Sequence, residues 1–504
     1  MRTYIGIDVG TSGTKTALFS GGGELIASHT SEYPMYQPNN GWAEQDPLDW
    51  WNAVLDGIRA VGHYDGVRAI GLSGQMHGLV MLDGNGEVLR PAIIWCDQRT
   101  SKEAAQLTEL IGAERLIRLT GNPAMTGFTA AKILWVRNNE PHIWERCRHI
   151  LLPKDYIRYK LTGEFATEVS DASGMQLMDI SARDWSGEIL TKLQIDRALL
   201  PKMYESPDVT GVTLANVSAL PAGIPVAGGA GDNAAAAIGC GITAEGKAFT
   251  TIGSSAVVYA VSDKPRIDVQ GRVHALCASV PGKWTVMSCT QGAGLSLKWL
   301  RDLLPPTPLK EWGNAKAPLS EGGQGGSRLS YSQMDALAAD VPIGAEKLIF
   351  LPYLMGERSP HPDADARGVF FGLSAIHGNA QIIRAVLEGV AYSQRECLDV
   401  FREMGVEVGD MTFTGGGSKS ELWRQMLSDL YNCPVKTLSR DEGAALGAAM
   451  LAAQSVGDSV SPPTNSSEAV IPNRERSAEY EPYYQLYKSL YPVLRESYKS
   501  LAAL

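Results

Sequence analysis

The sequence predicts an α/β protein of two related domains, each opening on a strand–turn–strand unit suited to an anion. Three observations lead there. The chain has 504 residues, more than one hydrophobic core normally serves. Short apolar strands alternate with helices and end in polar or glycine-rich loops, the arrangement in which open α/β sheets place ligands beyond their strand ends. A strand, a Gly/Thr/Ser turn and a second strand occur twice, first within residues 4–19 and again within 248–259.

The first of these units runs Tyr4-Ile5-Gly6-Ile7-Asp8-Val9-Gly10-Thr11-Ser12-Gly13-Thr14-Lys15 and leaves by a strand over 14–19. Successive backbone N–H groups in such a turn form an anion-binding concavity, and the Thr11 and Ser12 hydroxyls add donors. Asp8 at the strand end suits a hard cation such as Mg²⁺ beside that anion. The turn lacks the G-x-x-x-x-G-K-[ST] spacing and following helix of a P-loop, and a glycine-rich turn between two strands is also what a plain hairpin requires.

Hydrophobic residues make up 44% and charged residues 20% of the chain, the profile of a globular protein with ample core. A net charge of −10 argues against a nucleic-acid partner, which needs clustered Lys and Arg. The seven cysteines form no C-x-x-C pair, so reduced core thiols are expected rather than a disulfide framework or a zinc site. No apolar run approaches the ~18 residues that span a bilayer, and no basic-then-apolar leader precedes the first strand. The expected compartment is the cytoplasm, with no membrane partner.

In chain order, Asp46-Pro47 opens a helix whose Trp50, Val54, Ile58 and Val61 form one apolar stripe. A strand over 67–73 ends in Gly74-Gln75-Met76-His77-Gly78, a hairpin follows over 79–89, and a strand over 92–95 ends in Cys96-Asp97-Gln98-Arg99. Helices are expected over 102–111 and 128–137, residues 144–152 lead into Pro153-Lys154-Asp155-Tyr156, and 167–174 reads as a polar loop. Residues 224–241 read as strand, glycine loop and small-residue helix. Asp232 would there be an ordinary N-cap, except that Gly228, Gly229 and Gly231 clear space around it. The Pro/Gly/Ser-rich 304–330 is expected to be a surface excursion. A long helix is expected over 379–404 with Asn379 as cap. A strand over 411–414 meets Gly415-Gly416-Gly417-Ser418, and Ser418 and Glu421 have the spacing of a capping box. Strand, glycines and helix N-terminus are a place where a nucleotide lies against backbone. A second small-residue helix follows Asp441-Glu442-Gly443, then a linker over 456–467 and a docked terminal helix from about residue 477.

With these pieces in place the chain resembles the FGGY family of carbohydrate kinases. The stretches that carry the resemblance are residues 6–12 and 251–255 as the two phosphate motifs and 414–417 as the adenosine motif. Phe128-Thr129-Ala130-Ala131-Lys132-Ile133-Leu134-Trp135 and residues 368–388 resemble the two signature stretches, Gly74–Gly78 resembles a ketopentose-contacting segment, and Trp42-Ala43-Glu44-Gln45-Asp46-Pro47 is another family segment. The second phosphate motif departs from the usual Gly-Thr-Ser-Gly, with Ser254 for the Thr and Ala256 for the last Gly.

The resemblance implies two actin/hexokinase-like (ribonuclease H-like) ATPase domains flanking a central cleft: residues 1–245, residues 246–453, and a linker with docked helix over 454–504. It implies ATP-dependent phosphorylation of D-xylulose to its 5-phosphate. Asp232 would be the general base, and Met76, His77, Asp232 and Asn233 would contact the sugar. Thr11, Ser12, Gly253, Ser254 and Ser255 would grip the ATP phosphates, Gly415, Gly416, Gly417 and Ser418 would hold the adenosine, and Asp8 would hold Mg²⁺. A homodimer is compatible with this reading. The alternatives are a kinase of the same family acting on glycerol, ribulose, gluconate or fuculose, and a non-enzymatic actin-like ATPase module.

Overall fold

The computed structural model describes residues 1–62, 64–304, 328–440, 442–466 and 468–504. It divides into two units. The first comprises Met1–Glu245, Val261–Val286 and Arg440–Thr464, and the second Gly246–Ala260, Met287–Ser439 and Asn465–Leu504.

The first unit is built on seven strands: β1 (Thr3–Val9), β2 (Gly13–Ser20), β3 (Leu25–Glu32), β4 (Val67–Gly74), β5 (Val209–Val212), β6 (Pro225–Ala227) and β7 (Ala230–Gly231). Their order is β5-β6-β4-β1-β2-β3, with β7 also paired to β4. β1 runs antiparallel to β2, with Asp8 opposite Lys15, and parallel to β4, with Asp8 opposite Ser73. β7 continues the parallel run, placing Ala230 opposite Ser73 and Gly231 opposite Gly74.

Strand alternation sorts the two faces of β1. Ile5, Ile7 and Val9 pack with Trp50, Val54, Ile58 and Val61, the stripe expected for the helix Pro47–Val61. That helix is capped by Asp46, whose side chain accepts from Leu48 N at 2.9 Å. Tyr4, on the other face, packs with the small-residue helix Gly443–Ser455. A Cβ on Gly6 would stand 1.9 Å from Ala445 O, one on Gly71 1.9 Å from Ala448 O, and one on Gly447 1.8 Å from Ala235 O in the helix Asp232–Gly239. Glycine at these positions lets the helix lie directly on the sheet. By its contacts Arg440–Thr464 clusters with the first unit; the sequence reading placed residues 440–453 in the second domain and 454–464 in the linker.

The second unit is built around β8 (Gly246–Ile252), β9 (Ala256–Ser262), β10 (Val408–Thr414) and β11 (Val435–Lys436). β8 pairs antiparallel with β9 and parallel with β10, which pairs parallel with β11. The buried helix Asn379–Glu403 packs against the strand Ile349–Leu351 and the helix Glu421–Tyr431. The terminal helix Arg474–Ala502 docks as expected, burying Tyr480, Tyr484, Tyr487 and Tyr491. Tyr484 donates to Asp399 at 2.7 Å, and Arg384 donates to the Tyr480 hydroxyl at 3.0 Å.

Several local expectations are corrected. The Ser418–Glu421 capping box does not form: Gly416–Lys419 is a 3₁₀ turn, and Ser420 caps the helix Glu421–Tyr431 by accepting from Trp423 N at 3.1 Å. The long helix has Gly378, not Asn379, at its cap position. The polar 167–174 stretch is not a solvent loop. It forms strand, helix and 3₁₀ turn, and Thr167, Glu168, Ser170, Asp171 and Ser173 are all buried. Of the 304–330 excursion, residues 305–327 lie outside the described residues. None of the seven cysteines forms a disulfide.

Candidate active site

Three adjacent strand ends in the first unit bring the expected site residues together. β1 delivers Asp8, β4 delivers Gln75, Met76 and His77 just past its last residue, and β7 runs straight into Asp232. The Met76 side chain covers Gly231, where a Cβ would stand 2.9 Å from Met76 Cγ. The His77 ring lies against Gly174, with Nδ1 2.8 Å from Gly174 O. A carbonyl oxygen only accepts, so Nδ1 carries the hydrogen.

Asp232 is the first residue of its helix; the cap position is Gly231, which has no side chain to contribute. The Asp232 carboxylate accepts from Asn233 N at 2.7 Å and Asn233 Nδ2 at 2.9 Å. Burial, and then the negative charge of Asp8, push it up to about 7. Its position one residue inside the helix and its burial beside a second carboxylate differ from those of a routine helix cap.

A buried ionic cluster supports the Asp232 loop from below, and sequence reading missed it. Arg158 donates to Gly228 O, and Ser170 Oγ accepts from Gly231 N at 3.2 Å while donating to Glu168 at 3.0 Å. Lys154 Nζ meets Asp155 at 2.8 Å, Asp171 at 3.0 Å and Glu168 at 3.4 Å. Burial, reinforced by the charges of Asp155 and Glu168, pushes Asp171 up to about 8. The i, i+4 pair Lys154 and Arg158 on one helix was the available signal.

The first phosphate turn is held by the side chains around it. Gly10 O accepts from the Tyr33 hydroxyl at 2.5 Å, Thr11 O accepts from Gln45 Nε2 at 2.7 Å, and the Thr11 hydroxyl accepts from Trp95 Nε1 at 2.9 Å. Ser12 is exposed. Beside them burial pushes the Asp8 carboxyl up, opposed by Ser73 and Lys15, and Asp8 Oδ1 is a buried oxygen with no hydrogen-bond partner. Lys15, opposite Asp8 in the sheet, is itself drawn to Glu442 at 2.6 Å.

The second unit joins the other two motifs at one cavity of about 400 Å³, lined by Gly253, Ser254, Lys298, Gly416, Gly417 and Trp423 among others. Gly415 adopts φ +78, and a Cβ there would stand 2.6 Å from Thr251 Oγ1; one on Gly417 would stand 2.8 Å from Ile252 Cβ. The glycines therefore let the 415–417 loop lie on the end of β8. Ser418 Oγ turns inward to Gly415 O at 2.8 Å. Gly253, Ser254 and Ser255 are exposed, and their turn is fixed by Gly294 N and Leu295 N donating to Gly253 O and Ser254 O. Ala256 sits in regular β9 opposite Ile252, so its departure from glycine demands no left-handed backbone.

Among the described residues no cluster of three or more His, Cys, Asp or Glu could cage a metal. A single carboxylate with an unpartnered buried oxygen, Asp8, fits Mg²⁺ instead, which keeps several waters and takes few protein ligands. Among the described residues no helix is long and apolar enough to cross a membrane.

Residues 3–239 match the model of the N-terminal domain of the FGGY family of carbohydrate kinases, and residues 248–456 match that of its C-terminal domain. The chain is 38% identical to the xylulose kinase of Escherichia coli (strain K12) over 502 residues, covering 97% of this chain and 99% of that one. Among solved structures, xylulose kinase from Rhodospirillum rubrum matches with a TM-score of 0.89 at 29% identity, covering 99% of this chain and 100% of that one. Gluconate kinase from Lactobacillus acidophilus also matches with a TM-score of 0.89, at 26% identity and 99% coverage of both chains.

Proposed function

The chain belongs to the FGGY family of carbohydrate kinases and is an ATP-dependent sugar kinase of two-domain α/β fold; from that premise we propose that it phosphorylates D-xylulose at O5, with Asp232 as general base and Mg-ATP as donor. One observation carries the reading: the strand ends that deliver Asp8 and Met76-His77 also deliver Asp232, raised to about 7. The choice of sugar rests on the xylulose kinase relatives and on the Gly74–Gly78 segment. A gluconate kinase shares the fold equally well, so fold alone does not select the substrate.

In this reading Asp232 accepts the proton of the attacking hydroxyl as the new P–O bond forms. An alcohol is far less acidic than a carboxylic acid, so the proton moves late and placement of the carboxylate matters most. Asn233, fixed by its contact to Asp232, and His77 hydrogen-bond sugar hydroxyls, while Met76 covers carbon. Thr11 and Ser12 of the first unit, and Gly253, Ser254 and Ser255 of the second, bind phosphate oxygens. Gly415, Gly416, Gly417 and Ser418 hold the adenosine against the cavity. Asp8 would hold Mg²⁺, which when bound neutralises charge on the phosphates.

Coupled detection of ADP with a panel of sugars tests the assignment. D-Xylulose is expected to stimulate ADP release well above glycerol, ribulose, gluconate and fuculose. Stronger stimulation by one of those would replace the sugar but keep the chemistry. Hydrolysis indifferent to every sugar would point to the ATPase-module alternative.

A further inference from the structure

The signature stretch over 128–135 has no part in the site as described so far, yet three of its side chains converge on one residue, His77. His77 has φ +68, the left-handed region that a residue with a Cβ rarely adopts. Its carbonyl oxygen accepts from Lys132 Nζ at 2.8 Å and from the Thr129 hydroxyl at 3.1 Å. Its ring lies against Phe128, centroids 4.2 Å apart, and is tied to Gly174 O on the other side.

Lys132 is fully buried, and its ammonium donates to two main-chain carbonyls, of His77 and of Gly127, each at 2.8 Å. Burial drives it down to about 7. Lys154, equally buried, differs in kind: three carboxylates lie within 3.4 Å, and it is held well above the usual lysine range. The Lys154 charge is matched by carboxylates in contact, whereas Lys132 donates to peptide carbonyls and feels the Asp97 carboxylate, itself paired with Arg99, only through space. A buried amine without a carboxylate partner is costly to the fold, which points to a role other than stability. Neutral or charged, it carries enough N–H groups to serve both carbonyls.

We propose that Lys132, assisted by Thr129, is a positioning residue for the sugar: it clamps the His77 peptide in its left-handed conformation and so fixes where Met76 and His77 meet the substrate. The proposal rests on the reading of Met76 and His77 as sugar contacts. It assigns the 128–135 signature a physical task, in which residues at i, i+1 and i+4 grip one strained peptide.

The test is steady-state kinetics of Lys132→Met, His77→Ala and the double variant with D-xylulose and ATP, alongside thermal denaturation. Lys132→Met keeps the chain length and removes the donors. It is expected to raise KM for D-xylulose by about tenfold or more, leave KM for ATP within about twofold, and melt no lower than the parent. The double variant should lose less than the product of the two single losses, because much of the clamp's effect passes through the His77 side chain. Should Lys132→Met fail to fold, Thr129→Val reads the same effect at smaller amplitude. An unchanged sugar KM in Lys132→Met, or losses that multiply in the double variant, overturns the proposal while leaving the kinase reading intact. A normal sugar KM in His77→Ala removes its premise, and the sugar assignment of His77 falls with it.

Discussion

Asp232→Ala is expected to fold normally and to lose sugar phosphorylation by about 10²–10⁴-fold, the usual contribution of a positioned general base. Were Asp232 only a helix cap, the same change would cost ~1 kcal/mol of stability and leave turnover largely intact. The cap position belongs to Gly231, and the Asp232 side chain binds Asn233. A pH profile sharpens the point. The base works ionised, so kcat/KM for the sugar should fall as pH drops through the folded value of about 7. Part of that elevation comes from the charge of Asp8. A cation bound there offsets the charge, so the acid limb of kcat, which reports the loaded enzyme, should lie at lower pH than that of kcat/KM. Asp232→Ala should abolish both limbs.

Asp8→Ala should lower kcat/KM for Mg-ATP by about 10²-fold or more, while D-xylulose binding measured by calorimetry without nucleotide stays near the parent value. The physical ground is that Asp8 presents a buried oxygen with no partner beside the first phosphate turn, whereas the His77 and Asn233 contacts lie elsewhere in the same unit. Raising Mg²⁺ should recover part of the loss if the residue holds the metal. Unchanged nucleotide kinetics would remove Asp8 from the site.

What sequence reading found, and what it missed, follows from how far each signal travels along the chain. The turns at Gly10–Ser12, Gly253–Ser255 and Gly415–Gly417 were legible because glycine and hydroxyl punctuation is local. The stripe of Trp50, Val54, Ile58 and Val61 was legible because one face is buried and periodicity reports it. The seat of the helix Gly443–Ser455 on the first sheet was not: its fit depends on Gly6, Gly71 and Gly447 removing Cβ atoms at three distant points. The 167–174 stretch misled for the opposite reason. Polar residues read as solvated, and only the fold brings Lys154 and Arg158 to them. Lys132 was hidden because every residue from Thr129 to Val136 is buried, leaving no polar face to mark it. The displaced caps, Ser420 for Ser418 and Gly378 for Asn379, show a 3₁₀ turn and a loop glycine shifting boundaries that spacing alone sets only to within a residue or two.

The proposed reaction is transfer of a phosphoryl group from ATP to O5 of D-xylulose. Phosphorus NMR of a reaction of D-xylulose with Mg-ATP measures it directly. The expected spectrum shows one new phosphomonoester, coupled to the C5 methylene protons and equimolar with the ADP formed. An ester on another carbon, or inorganic phosphate appearing with no ester, would contradict the account.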